Sequence, residues 1–152
     1  MKEKMIKYYM NTALNTSKLS VATRLKVGCV IVKNDNIISF SWNGTPSGLP
    51  NCCEHSINGV TITKPETIHA ELNAIFKLSK NGISGNGATM FVTHSPCIEC
   101  AKGIIQTGIE SVYYLIDYRD SSGIELLKKC SINISKYTGD INVYHTQTSH
   151  NT

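Results

Sequence analysis

His69, Glu71, Cys97 and Cys100 are the residues of this chain whose types and spacing could do chemistry together. One histidine and two cysteines offer three zinc ligands, and three protein ligands leave the fourth tetrahedral position open, as in a catalytic rather than a structural site. Glu71, two residues after the histidine, is left free to move protons. A metal with an open position activates water, and a carboxylate within reach can take that water's proton and return it to a leaving group. The set therefore suits hydrolysis. Two other arrangements stay open: a redox or structural C-x-x-C, and a closed site with Cys52, Cys53 or His55 as fourth ligand.

These groups can meet only if particular elements carry them. The three-residue separation of Cys97 and Cys100 puts both sulfurs on one helix face. A helix N-terminus there favours the thiolate, the form that binds metal. His69 and Glu71 are too close in sequence to share a helical face, so the chain must be entering a helix between them. Helical spacing does run from His69 to Leu78 through Leu72, Ile75 and Phe76, with Asn81-Gly82 as its stop. A second such stretch runs from Cys97 to Gln106 and stops at Gly108.

The remaining elements follow from pattern. Residues 2–17 read as a helix through Met5, Ile6, Tyr9 and Leu14. Val27–Val32 and Ile37–Trp42 read as a hairpin around Asn34-Asp35-Asn36. Ala88–Thr93 and Ser111–Ile116 are strands, Ser122 or Gly123 to Lys129 a helix, and Ile141–Tyr144 a last strand. Residues 43–66 hold three prolines and three glycines and read as one long loop. The order predicts an α/β fold, a three-layer α-β-α arrangement around a five-stranded mixed sheet. It is expected to be a single domain over residues 1–152, with 146–152 a frayed polar tail.

Bulk properties narrow the setting. With 41% hydrophobic and 17% charged residues the composition is globular, which excludes a disordered chain. No apolar run approaches the roughly 18 residues that span a bilayer, so no membrane partner is expected. The charged start, Met1-Lys2-Glu3-Lys4, leads into no apolar stretch of the kind an export signal needs. The six cysteines are accordingly read as belonging to a reducing cytoplasm, as metal ligands or core residues rather than disulfides. Cys29 and Cys130 read as core. A net charge of +4 is too mild for wrapping nucleic acid; it suits a small anionic ligand, or simply a solvated surface. Arg24, Lys26 and Arg119 are the candidate partners for such an anion. Each charge-assisted hydrogen bond contributes roughly 1.5–3 kcal/mol. Tyr118 could stack on a flat ring or belong to the core.

Taken with their neighbours, these motifs resemble the deoxycytidylate deaminases, particularly those encoded by phages. The segments that carry the resemblance are Lys26–Ile31, Trp42–Pro46, Asn51-Cys52-Cys53, Ile68–Ala74 and Ser95–Lys102, in order, over about residues 20 to 120. The H-x-E…P-C-x-x-C pattern by itself marks zinc-dependent nucleobase deaminases in general. The aromatic-Asn-Gly-x-Pro segment narrows the likeness to the deoxycytidylate branch. The resemblance implies a cytidine-deaminase-like fold, one catalytic Zn2+ on His69, Cys97 and Cys100, and Glu71 as the catalytic proton shuttle. It implies conversion of dCMP to dUMP and ammonia for thymidylate synthesis. Asn43 would contact the deoxyribose, and backbone groups at Ala70 and Glu71 would read the base. Relatives of this kind are often hexamers, activated by dCTP and inhibited by dTTP, with Mg2+ accompanying the triphosphate. The effector site would then lie in the long loop, at Gly44, Pro46, Gly48 and Asn51. Some phage members carry a longer insert with ligands for a second zinc; here Cys52, Cys53 and His55 have no obvious companions. Competing expectations are a deaminase of dCTP, of free cytidine or of tRNA adenosine, and a non-catalytic nucleotide sensor, for which Glu71 would have no use.

Overall fold

The computed structural model describes residues 1–141. Helix α1 (Glu3–Ser17) is followed by a hairpin, β1 (Gly28–Lys33) and β2 (Asn36–Trp42). Asn34 and Asp35 both take positive φ, 50° and 57°, the pair of values that matches a two-residue turn to strand twist. A second hairpin, β3 (Glu54–Ile57) and β4 (Val60–Thr63), precedes helix α2 (Ala70–Lys80). Strand β5 (Thr89–His94), helix α3 (Ile98–Thr107), strand β6 (Ser111–Ile116), helix α4 (Ser122–Lys129) and strand β7 (Asn133–Lys136) complete the order.

The main sheet has five strands in the order β2-β1-β5-β6-β7. β1 runs antiparallel to both β2 and β5, whereas β5, β6 and β7 are parallel. The mixed five-stranded sheet is the one expected. Side chains alternate across it. Cys29, Ile31, Met90 and Val92 pack with Ala74, Leu78, Ala101, Ile104 and Leu127 on the side of α2, α3 and α4. Val30, Val32 and Phe91 pack with Ile6, Tyr9, Met10 and Ala13 of α1 on the other. Burial on both faces explains why β1 is a continuous apolar run. α1 lies directly on β1, since a Cβ at Gly28 would sit 2.0 Å from the Ala13 carbonyl oxygen.

Three expectations need correction. Residues 43–66 are not one loop, because β3 and β4 lie within them. Asn58 and Gly59, with φ of 51° and 78°, form the same kind of tight turn as the first hairpin. The signal was present, but three nearby prolines and the absence of a buried face hid it. The fifth strand of the sheet is Asn133–Lys136, a short and mostly exposed edge strand carrying one apolar residue. The strand expected at Ile141–Tyr144 lies, Ile141 apart, outside the described residues, as does the 146–152 tail. Cys130 is exposed at the end of α4 and not part of the core, while Cys29 is fully buried. No helix among the described residues is long and apolar enough to cross a membrane.

Candidate active site

β5 and β6 run parallel and finish side by side, with His94 opposite Ile116. β1 runs against β5, so its beginning lies at the same end; β2 runs against β1, so its finish, Trp42 opposite Gly28, lies there too. The first turns of α2 and α3 open onto this edge. Outside the carboxyl ends of parallel strands an α/β sheet leaves a crevice. Here it is a cleft of about 530 Å³ whose lining includes Arg24, Asn43, His69, Glu71, His94, Cys97, Tyr118 and Arg119.

His69 is the residue immediately before α2 and Cys97 the one before α3, both with extended backbone at ψ 152° and 172°. Cys100 follows in the first turn of α3. The His69 Nδ1 lies 3.4 Å from the Sγ of Cys97 and 3.4 Å from that of Cys100. Zinc bonds of about 2.0–2.1 Å to nitrogen and 2.3 Å to sulfur, at the tetrahedral angle, place the two donors roughly 3.5 Å apart. The three residues therefore fit the ion. Among the described residues no fourth His, Cys or carboxylate joins the cluster, which leaves its remaining position open. Cys52 is exposed and its thiol donates to the Glu54 carbonyl, and neither Cys53 nor His55 approaches the three.

The two thiols share a proton unequally. The hydrogen bond with Cys100 holds Cys97 down at about 4, with His69 adding to it. The same bond, together with burial, pushes Cys100 up. Bringing Cys100 into metal ligation thus releases its proton. Glu71, at the second position of α2, is only 4% exposed and lies outside the ligand cluster. Burial raises its carboxyl to about 6, where a group can both accept and donate near neutrality. The expected change of backbone between His69 and Glu71 is present, His69 being extended and Glu71 helical.

The other anticipated residues divide. Arg24, Asn43, Ala70, Tyr118 and Arg119 all line the cleft. Lys26 does not; it is exposed between Leu25 and Val27, both of which do. Tyr118 is half-buried at the wall rather than in the core, with the Arg119 guanidinium 5.4 Å from its ring centroid. Asn43 has a second task that spacing did not reveal. Its Nδ2 donates to the Leu25 carbonyl at 2.8 Å, and its Oδ1 accepts the Val27 N–H at 2.9 Å. Sequence reasoning also missed His94 and Ser95 in the wall. The Ser95 Oγ accepts the Tyr118 N–H at 2.7 Å and so fixes the loop carrying Tyr118 and Arg119. Thr93 Oγ1 accepts the Gly28 N–H at 3.2 Å and lies 2.9 Å from the His94 Nδ1. Burial lowers the pKa of His94. Its place at the end of a strand just before Ser-Pro-Cys was the available clue.

Gly44, Pro46 and Asn51 line a separate cleft of about 520 Å³, together with Trp42, Phe76, Lys77 and Lys80. Gly48 does not belong to that lining; it stands exposed on the loop beyond it. The Lys77 ammonium sits 5.0 Å from the centroids of both Phe40 and Trp42 and donates to the Phe40 carbonyl at 2.9 Å.

A family model for the cytidine and deoxycytidylate deaminase zinc-binding region matches residues 3–116. The chain is 40% identical over 112 residues to ComE operon protein 2 of Bacillus subtilis, covering 74% of this chain and 59% of that protein. It thus spans less than two thirds of that relative's length. It is 35% identical over 147 residues to the deoxycytidylate deaminase of Enterobacteria phage T4, covering 72% of this chain and 76% of the other. Among solved structures, the dCMP deaminase of cyanophage S-TIM5, in complex with dCMP and dUMP, superposes with a TM-score of 0.85 at 42% identity. That match covers 90% of this chain and 99% of the other.

Proposed function

The chain belongs to the zinc-binding family of cytidine and deoxycytidylate deaminases, and from that membership we propose that it hydrolyses dCMP to dUMP and ammonia, supplying thymidylate synthesis. The observation that carries the reading is the pairing of an open three-ligand cluster with a buried carboxyl, Glu71, in one cleft. His69, Cys97 and Cys100 hold Zn2+. Bound there, zinc supplies a Lewis acid that makes water nucleophilic near neutral pH. Glu71 takes the proton of the water whose oxygen bonds to C4 of the cytosine. It passes that proton to the ring nitrogen, then takes the proton of the new C4 hydroxyl and gives it to the amine, and the C4–N bond breaks to release ammonia as the C4 carbonyl forms. The same carboxyl acts as base and then acid, for which a pKa of about 6 is suited.

Backbone groups at Ala70 and Glu71 meet the base edge, Tyr118 covers its face, and Asn43 meets the deoxyribose. Arg24 and Arg119 are the cations of the cleft and take the phosphate. A nucleoside triphosphate, dCTP as activator or dTTP as inhibitor, accompanied by Mg2+, is assigned to the second cleft. Gly44, Pro46 and Asn51 meet two lysines and two aromatic rings there. A hexameric homo-oligomer and a reducing cytoplasm, the host's if the chain is phage-encoded, complete the reading; the six cysteines are all free.

The test is the fall in absorbance on deamination when purified protein meets dCMP, dCTP, deoxycytidine or adenosine-bearing RNA, with and without dCTP as activator. Turnover of dCMP well above the others supports the reading. Preference for dCTP moves the substrate to the triphosphate, and absence of dCMP turnover with dCTP present overturns the proposal.

A further inference from the structure

The β3–β4 hairpin has one rung that faces the cleft. Glu54 and Thr63 are directly opposed in register, and both line the cavity. Glu54 Oε1 accepts the backbone N–H of Thr23 at 2.9 Å and of Arg24 at 3.2 Å. The Arg24 guanidinium donates through Nη1 to Thr63 Oγ1 at 3.1 Å. A single rung therefore fixes both the backbone and the side chain of the arginine. From the other side Asn43 holds Leu25 and Val27, and the Ser20 hydroxyl donates to the Asn43 carbonyl at 2.9 Å. Between these clamps residues 21–27 belong to no helix or strand, and the hydrogen bonds that reach Arg24 itself are those it makes with Glu54 and Thr63.

We propose that Glu54 is a positioning residue for substrate selection: by holding the Arg24 segment against the hairpin, it gives the site its preference for a phosphate-bearing nucleotide over the bare nucleoside. The proposal rests on the dCMP reading above. An exposed arginine left on an irregular segment loses side-chain and backbone entropy each time it closes on an anion. One already held by two hydrogen bonds of its own, with a third on the preceding Thr23 N–H, has lost it beforehand, which is preorganisation. Simple electrostatics points the opposite way. Glu54 places a negative charge on the rim of a cleft that must admit an anion, so on charge alone its removal would strengthen nucleotide binding. The two accounts therefore differ in sign.

The experiment compares wild type, Glu54→Ala, Glu54→Gln, Arg24→Ala and the Glu54→Ala/Arg24→Ala double variant with dCMP and deoxycytidine. In Glu54→Ala the KM for dCMP should rise roughly tenfold, the loss of about one charge-assisted contact. Its kcat should stay within twofold, and kcat/KM for deoxycytidine should not change. Glu54→Gln keeps the accepting oxygen without the charge and should restore the dCMP KM. The double variant should be no worse than Arg24→Ala alone. An unchanged or lower dCMP KM in Glu54→Ala overturns the proposal, and so does an equal loss on deoxycytidine, which would mark a purely structural role. If wild type turns over neither compound, the reading of the reaction fails by itself. The proposal is then decided by calorimetric binding of dUMP against deoxyuridine, where the same Glu54 dependence is expected and its absence refutes it.

Discussion

Glu71 is a carboxyl kept almost out of water with its ionisation pushed toward neutrality. Its burial costs stability and, in the proposed reaction, serves proton transfer, so the two properties should separate on substitution. Glu71→Gln is isosteric and carries no charge to desolvate. It should keep its zinc, melt at the same temperature as wild type or higher, and lose activity by about 10²–10⁴-fold. Metal analysis, calorimetry and the dCMP assay on one preparation check all three, and surviving activity would remove Glu71 from the role of proton carrier. Cys97 and Cys100 are of one type and three residues apart, yet their interaction lowers the pKa of one thiol and, with burial, raises that of the other. Residue type and spacing made the set legible. Which sulfur carries the proton depends on burial and contact, which spacing does not encode.

Two helix starts bring the ligands together, and a third helix presses on one of them. A Cβ at Gly123 in the first turn of α4 would lie 2.0 Å from the Pro96 carbonyl oxygen and 2.7 Å from the carbonyl carbon of Cys97. Backbone there cannot give way without shifting the turn that aims the Cys97 sulfur. Gly123→Ala should cost about 1–3 kcal/mol in denaturant unfolding. It should also weaken zinc roughly 10–100-fold in a chelator competition, as loss of support around a ligand does. A variant that is destabilised but binds zinc normally would show that α4 braces the fold and not the site. The β3–β4 hairpin is the opposite case at this scale. It adds no strand to the main sheet and its residues are mostly exposed, so the short alternation Val60-Thr61-Ile62-Thr63 buries no apolar face. Its turn, Asn58-Gly59, is the signal that announced it.

Over the described residues a sheet carries α1 on one face and three helices on the other, and the His69, Cys97 and Cys100 cluster joins the starts of α2 and α3. An ion bound only by the folded chain adds its binding free energy to stability. At a free zinc concentration a thousandfold above the dissociation constant the gain is about 4 kcal/mol. For a chain of this size that corresponds to roughly 10 °C. Chelation should lower Tm by that order and added zinc restore it, while Cys97→Ser should melt low and respond to neither. A Tm of wild type that ignores the chelator would refute the ligand assignment.

What depends on residue type and short spacing was readable before any coordinates: the grouping of His69, Cys97 and Cys100 with Glu71 nearby, the helices that begin at them, and the α/β order with its five-stranded sheet. These are local, because a helix start and a buried strand announce themselves within a few residues. The tertiary structure decided what depends on distant chain segments meeting. It turned Lys26 away and left Arg24 at the cleft. It gave Asn43 the work of holding residues 25 and 27. It brought Glu54 across 30 residues to the Arg24 backbone. Such contacts join polar groups far apart in sequence through hydrogen bonds, which carry no periodicity, so only the folded chain reveals them.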